Sequence, residues 1–336
     1  MAQTAPMICT FGDTTNSKVG LAWRPVDDLL VRATWAEGFR APSVLELFEG
    51  ARATSIPVTD PCNGGGAGLI GCQGVPASYT QPEANVPASV GGNRNLTPET
   101  SENISYGLVY TPSALEGFSL TLDWYKIDID DTISTFGAQN LLNLCSSTAQ
   151  RCNFIKRDAS GEILDLADGP INLNNTRVRG MDLVARYEMS TDVGDFDFTL
   201  SGSNLKEITE VSTLSNGSLL VNKKLGKALL REAFPEWRTN FSTRWSLDQW
   251  SVNYSARMIG DTTETVGTTE RHIPTIVYHN LAGNYQFNDN LGVRVGIDNL
   301  TDKQPPVSLL NTNINFDQNT YSAVGRFMYL QVSYEL

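Results

Sequence analysis

The stretch Ile104–Asp130, ISYGLVYTPSALEGFSLTLDWYKIDID, decides the fold. Ile104, Tyr106, Leu108 and Tyr110 alternate with Asn103, Ser105 and Gly107. After the turn-forming run at 111–117, Phe118, Leu120, Leu122 and Trp124 alternate with Ser119, Thr121 and Asp123. Side chains on a strand point to opposite faces with a period of two, so each half of this stretch is a strand with one apolar and one polar face. The phase reverses at Trp124–Tyr125, after which the apolar residues are Tyr125, Ile127 and Ile129. A bulge there would restore the pattern. A strand that has left an apolar environment and continues into a polar one would also produce the reversal.

The same alternation spreads outward over the chain. It recurs at Leu29–Trp35, Met181–Tyr187, Trp250–Met258 and Leu291–Ile297. A soluble sandwich shows this pattern too. The connections separate the two architectures. Residues 25–28, 111–117, 191–195, 247–249 and 288–290 are short turns, whereas 40–100, 132–173, 210–234, 261–274 and 301–322 are long. Every second connection is long, so a meander gathers all the long loops at one end, as in outer-membrane barrels. Trp35, Tyr110, Trp124, Tyr187, Trp237, Trp245, Trp250, Tyr285, Phe287 and Tyr334 are expected near strand ends, as interfacial girdles. About eleven strands are expected. An odd antiparallel meander leaves two open edges, which hydrocarbon does not tolerate, so this stretch is expected not to close a barrel by itself.

Composition narrows the function. The 336 residues carry a net charge of -12, with 18% charged and 40% apolar side chains, and mean hydropathy is -0.21. No apolar run approaches the ~20 residues of a spanning helix. The acidic balance speaks against nucleic acid as a partner. The short basic cluster Lys223, Lys224 and Lys227 reads as solvated surface. Met1–Ile8 has neither the basic nor the apolar region of a secretory signal, which suggests a processed or partial chain.

Cys62 and Cys72 are ten apart, and Cys145 and Cys152 seven apart, each pair within a loop. Two local disulfides and an oxidising compartment follow. A zinc site would want two-residue spacings and histidine. These disulfides are expected to pin loops that have little core of their own. Cys9 is left over.

No enzyme signature, cofactor motif or metal-ligand set is found. His272 and His279, each by the start of a strand, lack a usable spacing. Gly64–Gly66 lacks the Lys-Ser/Thr of a phosphate loop. Asp128, Asp130 and Asp131 could offer oxygen ligands to a cation, though such acids are more often a solvated wall.

Four stretches resemble TonB-dependent outer-membrane receptors: WAEGFRAPSVLELFEG (Trp35–Gly50), GGNRNLTPETSENISYGLVYTP (Gly91–Pro112), VRVGIDNLTDKQPP (Val293–Pro306) and the C-terminus. The resemblance covers residues 11–336 and leaves 1–10 unassigned. It implies an all-β, antiparallel, up-and-down transmembrane barrel present in part, the last 11 or so of 22 strands, without the plug domain. It further implies residence in the outer membrane of a Gram-negative bacterium and active uptake of a bulky nutrient of the siderophore, cobalamin or oligosaccharide class. The expected partners are membrane lipid, the nutrient, the barrel-assembly machinery and, through the missing plug, the TonB energy-coupling protein. Arg32, Asn103, Asp123, Asp182, Arg186, Asn253, Arg257 and Arg294 would line the lumen. Leu330, Val332, Tyr334 and Leu336 resemble the terminal strand read by the assembly machinery, although the family usually ends in Phe or Trp. A passive porin, a non-functional fragment of a truncated or split gene, and a soluble β-sandwich adhesin are the competing readings.

Overall fold

A computed structural model describes residues 13–172, 175–213, 219–229, 232–266, 269–311 and 314–335. The 1–10 segment with Cys9, and Leu336, lie outside the described residues. Eleven strands follow one another in sequence order across a single sheet, each pair antiparallel. They are β1 (Lys18–Val26), β2 (Leu29–Arg40), β3 (Glu99–Tyr110), β4 (Phe118–Asp130), β5 (Asn175–Thr191) and β6 (Gly194–Thr213). Then come β7 (Trp237–Leu247), β8 (Trp250–Ile259), β9 (Ile276–Gln286), β10 (Leu291–Asp298) and β11 (Phe327–Tyr334). A twelfth strand, Leu219–Lys223, pairs with the loop end of β6. The sheet is open among the described residues, with β1 and β11 at its two ends.

Short turns join β1–β2, β3–β4, β5–β6, β7–β8 and β9–β10; long loops make the other connections. All long loops therefore emerge at one end. The register is unbroken through Trp124–Tyr125 on both sides of β4, so no bulge explains the phase reversal there. A bulge lies two strands away, where Arg179 pairs Glu207 but Gly180 pairs Leu205, leaving Lys206 over.

The described parts of the long loops are folded. Loop residues 41–98 and 131–172 pack together around Val58, Val86, Ala88, Ala138, Leu141, Leu142, Ile163 and Leu166. The hairpin Arg52–Pro57 with Asn85–Val90, the helix Ala138–Thr148 and the hairpin Ile155–Arg157 with Ile163–Leu166 supply that core. The expectation of loops with little core is thus corrected. Ala228, Ala233, Ile273 and Tyr321 of the remaining loops form a second cluster with Ile259, Ile276 and Tyr278 at the loop ends of β8 and β9.

Candidate functional site

Register fixes which side chains share a face. One row runs Leu29, Tyr110, Leu120, Ala185, Leu200, Phe241, Ala256 and His279 across β2 to β9. The next runs Val31, Leu108, Leu122, Leu183, Gly202, Thr239, Met258 and Val277. This face is apolar and open, with Val19, Leu21, Trp23, Leu200, Val295, Leu330, Val332 and Tyr334 exposed.

The turn-side aromatics on this face form a regular series. Tyr110 on β3, Tyr187 on β5, Trp245 on β7, Tyr285 on β9 and Tyr334 on β11 each sit two residues lower than the one before, measured along the ladder rows. The slip is therefore one residue per strand. At ~3.4 Å per residue and ~4.8 Å between strands, a level aromatic ring requires strands tilted by about 35°. The loop-side aromatics Trp35 and Trp124 lie mid-strand, not at strand ends, because β2 and β4 continue past them. Trp237 and Trp245 are eight residues apart on β7, roughly 27 Å along the strand.

The opposite face is polar. Arg32, Gly107, Asp123, Asp182, Ser203 and Arg238 form one row. Asn103, Arg186, Asn253, Arg257 and Arg294 have the same parity. All eight candidates therefore share this face, but they do not converge on one point. Arg32 forks onto Asp123, with Nε donating at 3.0 Å. Arg257 and Arg294 lie over the rings of Tyr278 and Tyr329. Asn253 and Arg294 share a cavity of about 360 Å³ with Asp197, Arg244, Asn280 and Asp298. Tyr125 crosses this face against Gly180, which has no side chain to obstruct it.

Above Trp124 the formerly apolar face becomes charged, which is the physical content of the phase reversal. Asp128 pairs Lys126 and Arg177, and Asp130 accepts from Asn175. Asp131 turns the chain with φ 53°, so the three acids do not converge as a cation site. Lys224 is half-buried on Glu210 and over Phe234, unlike the solvated lysine expected. His279 bonds the Tyr254 hydroxyl at 2.7 Å on the apolar face, near the start of β9. His272 is exposed near the end of a short loop strand, Thr269–Ile273, not at its start.

The sequence motifs have structural roles. Arg40 clamps Glu99 with Nε at 2.7 Å and Nη2 at 2.6 Å, and Nη1 reaches Glu46 at 3.0 Å. Glu46 closes a capping box with Ser43. Glu99 also accepts from the Ile133 amide at 2.7 Å. One ion-pair hub thus joins the first two motifs and the start of the second long loop. In the third motif Asn299 adopts φ 52°, bonds both backbone groups of Lys303 and donates to the Val324 carbonyl.

Both expected cysteine pairs are bonded, Cys62–Cys72 and Cys145–Cys152. Beside the first pair, Asp60 is buried under Arg157 (2.6 Å), the Tyr79 hydroxyl (3.0 Å) and the Cys62 amide (3.0 Å). Burial alone would raise the Asp60 carboxyl, but the Arg157 fork and these donors hold it below its usual range. Burial and the Asp60 charge push Tyr79 up to about 12. In the second cluster Glu264 is buried and accepts from the Ser308 hydroxyl and the Leu309 and Leu310 amides. Its burial is outweighed by these donors and by Arg271, so it too lies below the usual carboxylate range. Arg40 and Glu99, Asp60 and Arg157, and Glu264 and Ser308 lie tens of residues apart, which no local pattern announces.

These geometries agree with the comparisons. The family model described as TonB dependent receptor-like, beta-barrel matches residues 9–300. A vitamin B12 transporter, BtuB, of Photobacterium profundum is 23% identical over 246 residues, covering 71% of this chain and 32% of that protein. A ferric enterobactin receptor (PfeA) mutant from Pseudomonas aeruginosa aligns at TM-score 0.59 and 15% identity, over 95% of this chain and 40% of the receptor. The siderophore receptor PirA from Acinetobacter baumannii aligns at TM-score 0.59 and 17% identity, with the same coverage. The chain thus spans between about a third and two fifths of the relatives it matches. Strand β11 lies beyond the family match and is placed by its pairing with β10. A sheet with an apolar belt on one face, polar side chains on the other and every long loop at one end is the wall of a membrane barrel, and the chain belongs to the TonB-dependent receptor family.

Proposed function

We propose that this chain forms part of the wall and outer vestibule of a receptor for energy-coupled nutrient uptake across the outer membrane of a Gram-negative bacterium. The observation that carries this reading is the aromatic series Tyr110, Tyr187, Trp245, Tyr285 and Tyr334, slipping one residue per strand. A soluble sandwich has no reason to set its aromatics in a regular slip of one residue per strand, whereas strands crossing a lipid interface at a tilt do. The polar face, with Arg32, Asn103, Asp123, Asp182, Arg186, Asn253, Arg257 and Arg294, then lines the lumen. The two folded loop clusters form the mouth, where the nutrient is first bound. The names of the relatives support a siderophore or cobalamin cargo, with oligosaccharide as the further class. In this reading TonB supplies the energy through a plug, and the assembly machinery engages β11 through Leu330, Val332 and Tyr334.

The test is deletion of the gene in its own host, followed by uptake of labelled ferric siderophore, cobalamin and oligosaccharide with and without a protonophore. Loss of protonophore-sensitive uptake of one class is expected, with complementation restoring it. Unchanged uptake of all three, or a protein absent from the outer-membrane fraction, overturns the reading.

A further inference from the structure

On the polar face, β7 to β11 and the last long loop enclose a cavity of about 540 Å³. Its floor is the wall itself: Asn240 and Ser242 on β7, Arg257 on β8, Tyr278 on β9 and Asp298 on β10. Its roof is the loop, through Ser322, Val324 and Gly325. Hydrogen bonds tie the roof down. The Ser322 amide donates to the Tyr278 hydroxyl at 3.3 Å, and Asn299 donates to the Val324 carbonyl at 3.4 Å. The neighbouring cavity of about 360 Å³ shares Ser242, Ser255, Asn280 and Asp298 with it, so the two form one groove running down the wall towards the turn end.

Two features of the groove point to its occupant. The first is an apolar ledge on a polar wall. Phe327 pairs Asp298 in register and so lies on the polar face, yet it is 52% exposed. Tyr329, two residues on, supports it, with ring centroids 6.2 Å apart and planes inclined by 25°. The Tyr329 ring fills the space that a side chain at Gly296 would occupy. A phenyl ring held open to water in this way offers a flat apolar surface to a ligand.

The second is the balance of the polar groups beside that ledge. The loop-side cavity has one cation, Arg257, and one anion, Asp298, and among the described residues neither is ion-paired. Asn240 and Ser242 likewise make no side-chain hydrogen bond there. Together these groups supply both donors and acceptors, with no net charge. A polyanion would meet Asp298 and, lower in the groove, Asp197. A wholly apolar ligand would strand Asn240, Arg257 and Asp298 without partners. A sugar ring satisfies both features. Its C–H face suits the ledge, and the hydroxyls round its edge each donate and accept. The volume lies within the range of small-ligand sites, about 300–1,000 Å³. The run of the groove along the strands suits a chain of such rings.

We propose that this groove binds an uncharged oligosaccharide, with Phe327 under the face of a sugar ring and Asn240, Arg257 and Asp298 on its hydroxyls. The proposal rests on the uptake reading above and selects one of its three cargo classes.

The test uses the protein as it occurs in its host's outer membrane, purified in a detergent without a sugar headgroup. Calorimetric titration with maltohexaose, cellohexaose and xylohexaose should show saturable binding of at least one, and ferric enterobactin should not compete with it. Phe327→Ala should weaken the sugar at least tenfold, while Phe327→Tyr, which keeps the aromatic face, should stay within threefold of wild type. Asn240→Ala, which removes no hydrogen bond within the described fold, should weaken it severalfold. Binding of none of the three sugars, displacement of the sugar by ferric enterobactin, wild-type affinity in either alanine variant, or a Phe327→Tyr variant as weak as Phe327→Ala overturns the proposal. Absence of the protein from the membrane fraction, or uptake that a protonophore leaves untouched, would instead overturn the reading on which it rests.

Discussion

At Gly71 there is no room for a side chain. A methyl built on it would collide with the Cys145 carbonyl oxygen, a backbone atom that cannot rotate away. Gly71→Ala should therefore loosen the first loop cluster by about 1–3 kcal/mol, seen as faster proteolysis within 41–98 and 131–174. Gly283→Ala, which meets nothing within 4 Å, should leave cleavage unchanged. The neighbouring ion pair has a pH signature. Asp60 is depressed in the fold, so its contribution is complete above the unfolded carboxyl value, about 3.9, and is lost as pH falls through the lower folded value. Tyr79 is raised to about 12, so its contribution is complete below about pH 10 and fades as pH rises towards that value. Proteolysis of the cluster should be flat across neutral pH and rise at both extremes. Arg157→Met should remove the plateau, because it strands a buried carboxylate at a cost of about 3–5 kcal/mol. A pH profile for Arg157→Met that matches wild type would show that this pair does not hold the loops.

Among the elements, the loop clusters raise the question of what holds them, disulfide or core. Closing loops of ten and seven residues' separation stabilises each by about 2.5–3 kcal/mol on chain-entropy grounds. Truncating a fully buried leucine costs about 2–5 kcal/mol. Leu142→Ala should therefore open the cluster at least as much as replacing Cys62 and Cys72 by serine, with protease half-life as the measure. If only the cysteine variant opens it, the core in these loops is incidental. The strands were legible because period-two alternation survives wherever one face meets lipid and the other water, and the positions of Tyr187 and Trp245 follow from it. The loop cores were not legible. Leu142 meets Val58 and Ile163 through segments tens of residues apart, with no period to mark them. The same holds for Arg40 and Glu99, whose motifs were recognisable as strings while the ion pair joining them was not. The reversal at Trp124 was visible in sequence, but only the unbroken register distinguishes a strand rising out of lipid from a bulge. A cysteine placed at Leu122 should accordingly resist a charged aqueous maleimide that modifies one placed at Asp130 on the same face of the same strand.

For the whole molecule, strand direction decides what can complete the wall. β1 runs towards a short turn, and β11 leaves a long loop and runs the same way, so both edges point towards the turn end. Among the described residues each edge presents a row of unpaired backbone groups, on strands of nine and eight residues. In hydrocarbon each such group costs several kcal/mol, on the order of tens for the two edges together. Two copies related by an axis along the membrane normal would bring β1 of one against β11 of the other in parallel, breaking the antiparallel ladder at both seams. A sheet that begins and ends with strands running towards the loop end closes both seams antiparallel, and an odd number of strands is required for that. The prediction is that copies of this chain do not close on each other. With cysteines at Val19 and Leu330 in a Cys9→Ser background, a short bis-maleimide applied to outer-membrane vesicles should give no dimer of this chain. A dimer formed in high yield would mean that two copies meet at parallel seams, and the requirement for a complementary odd-stranded sheet would fall.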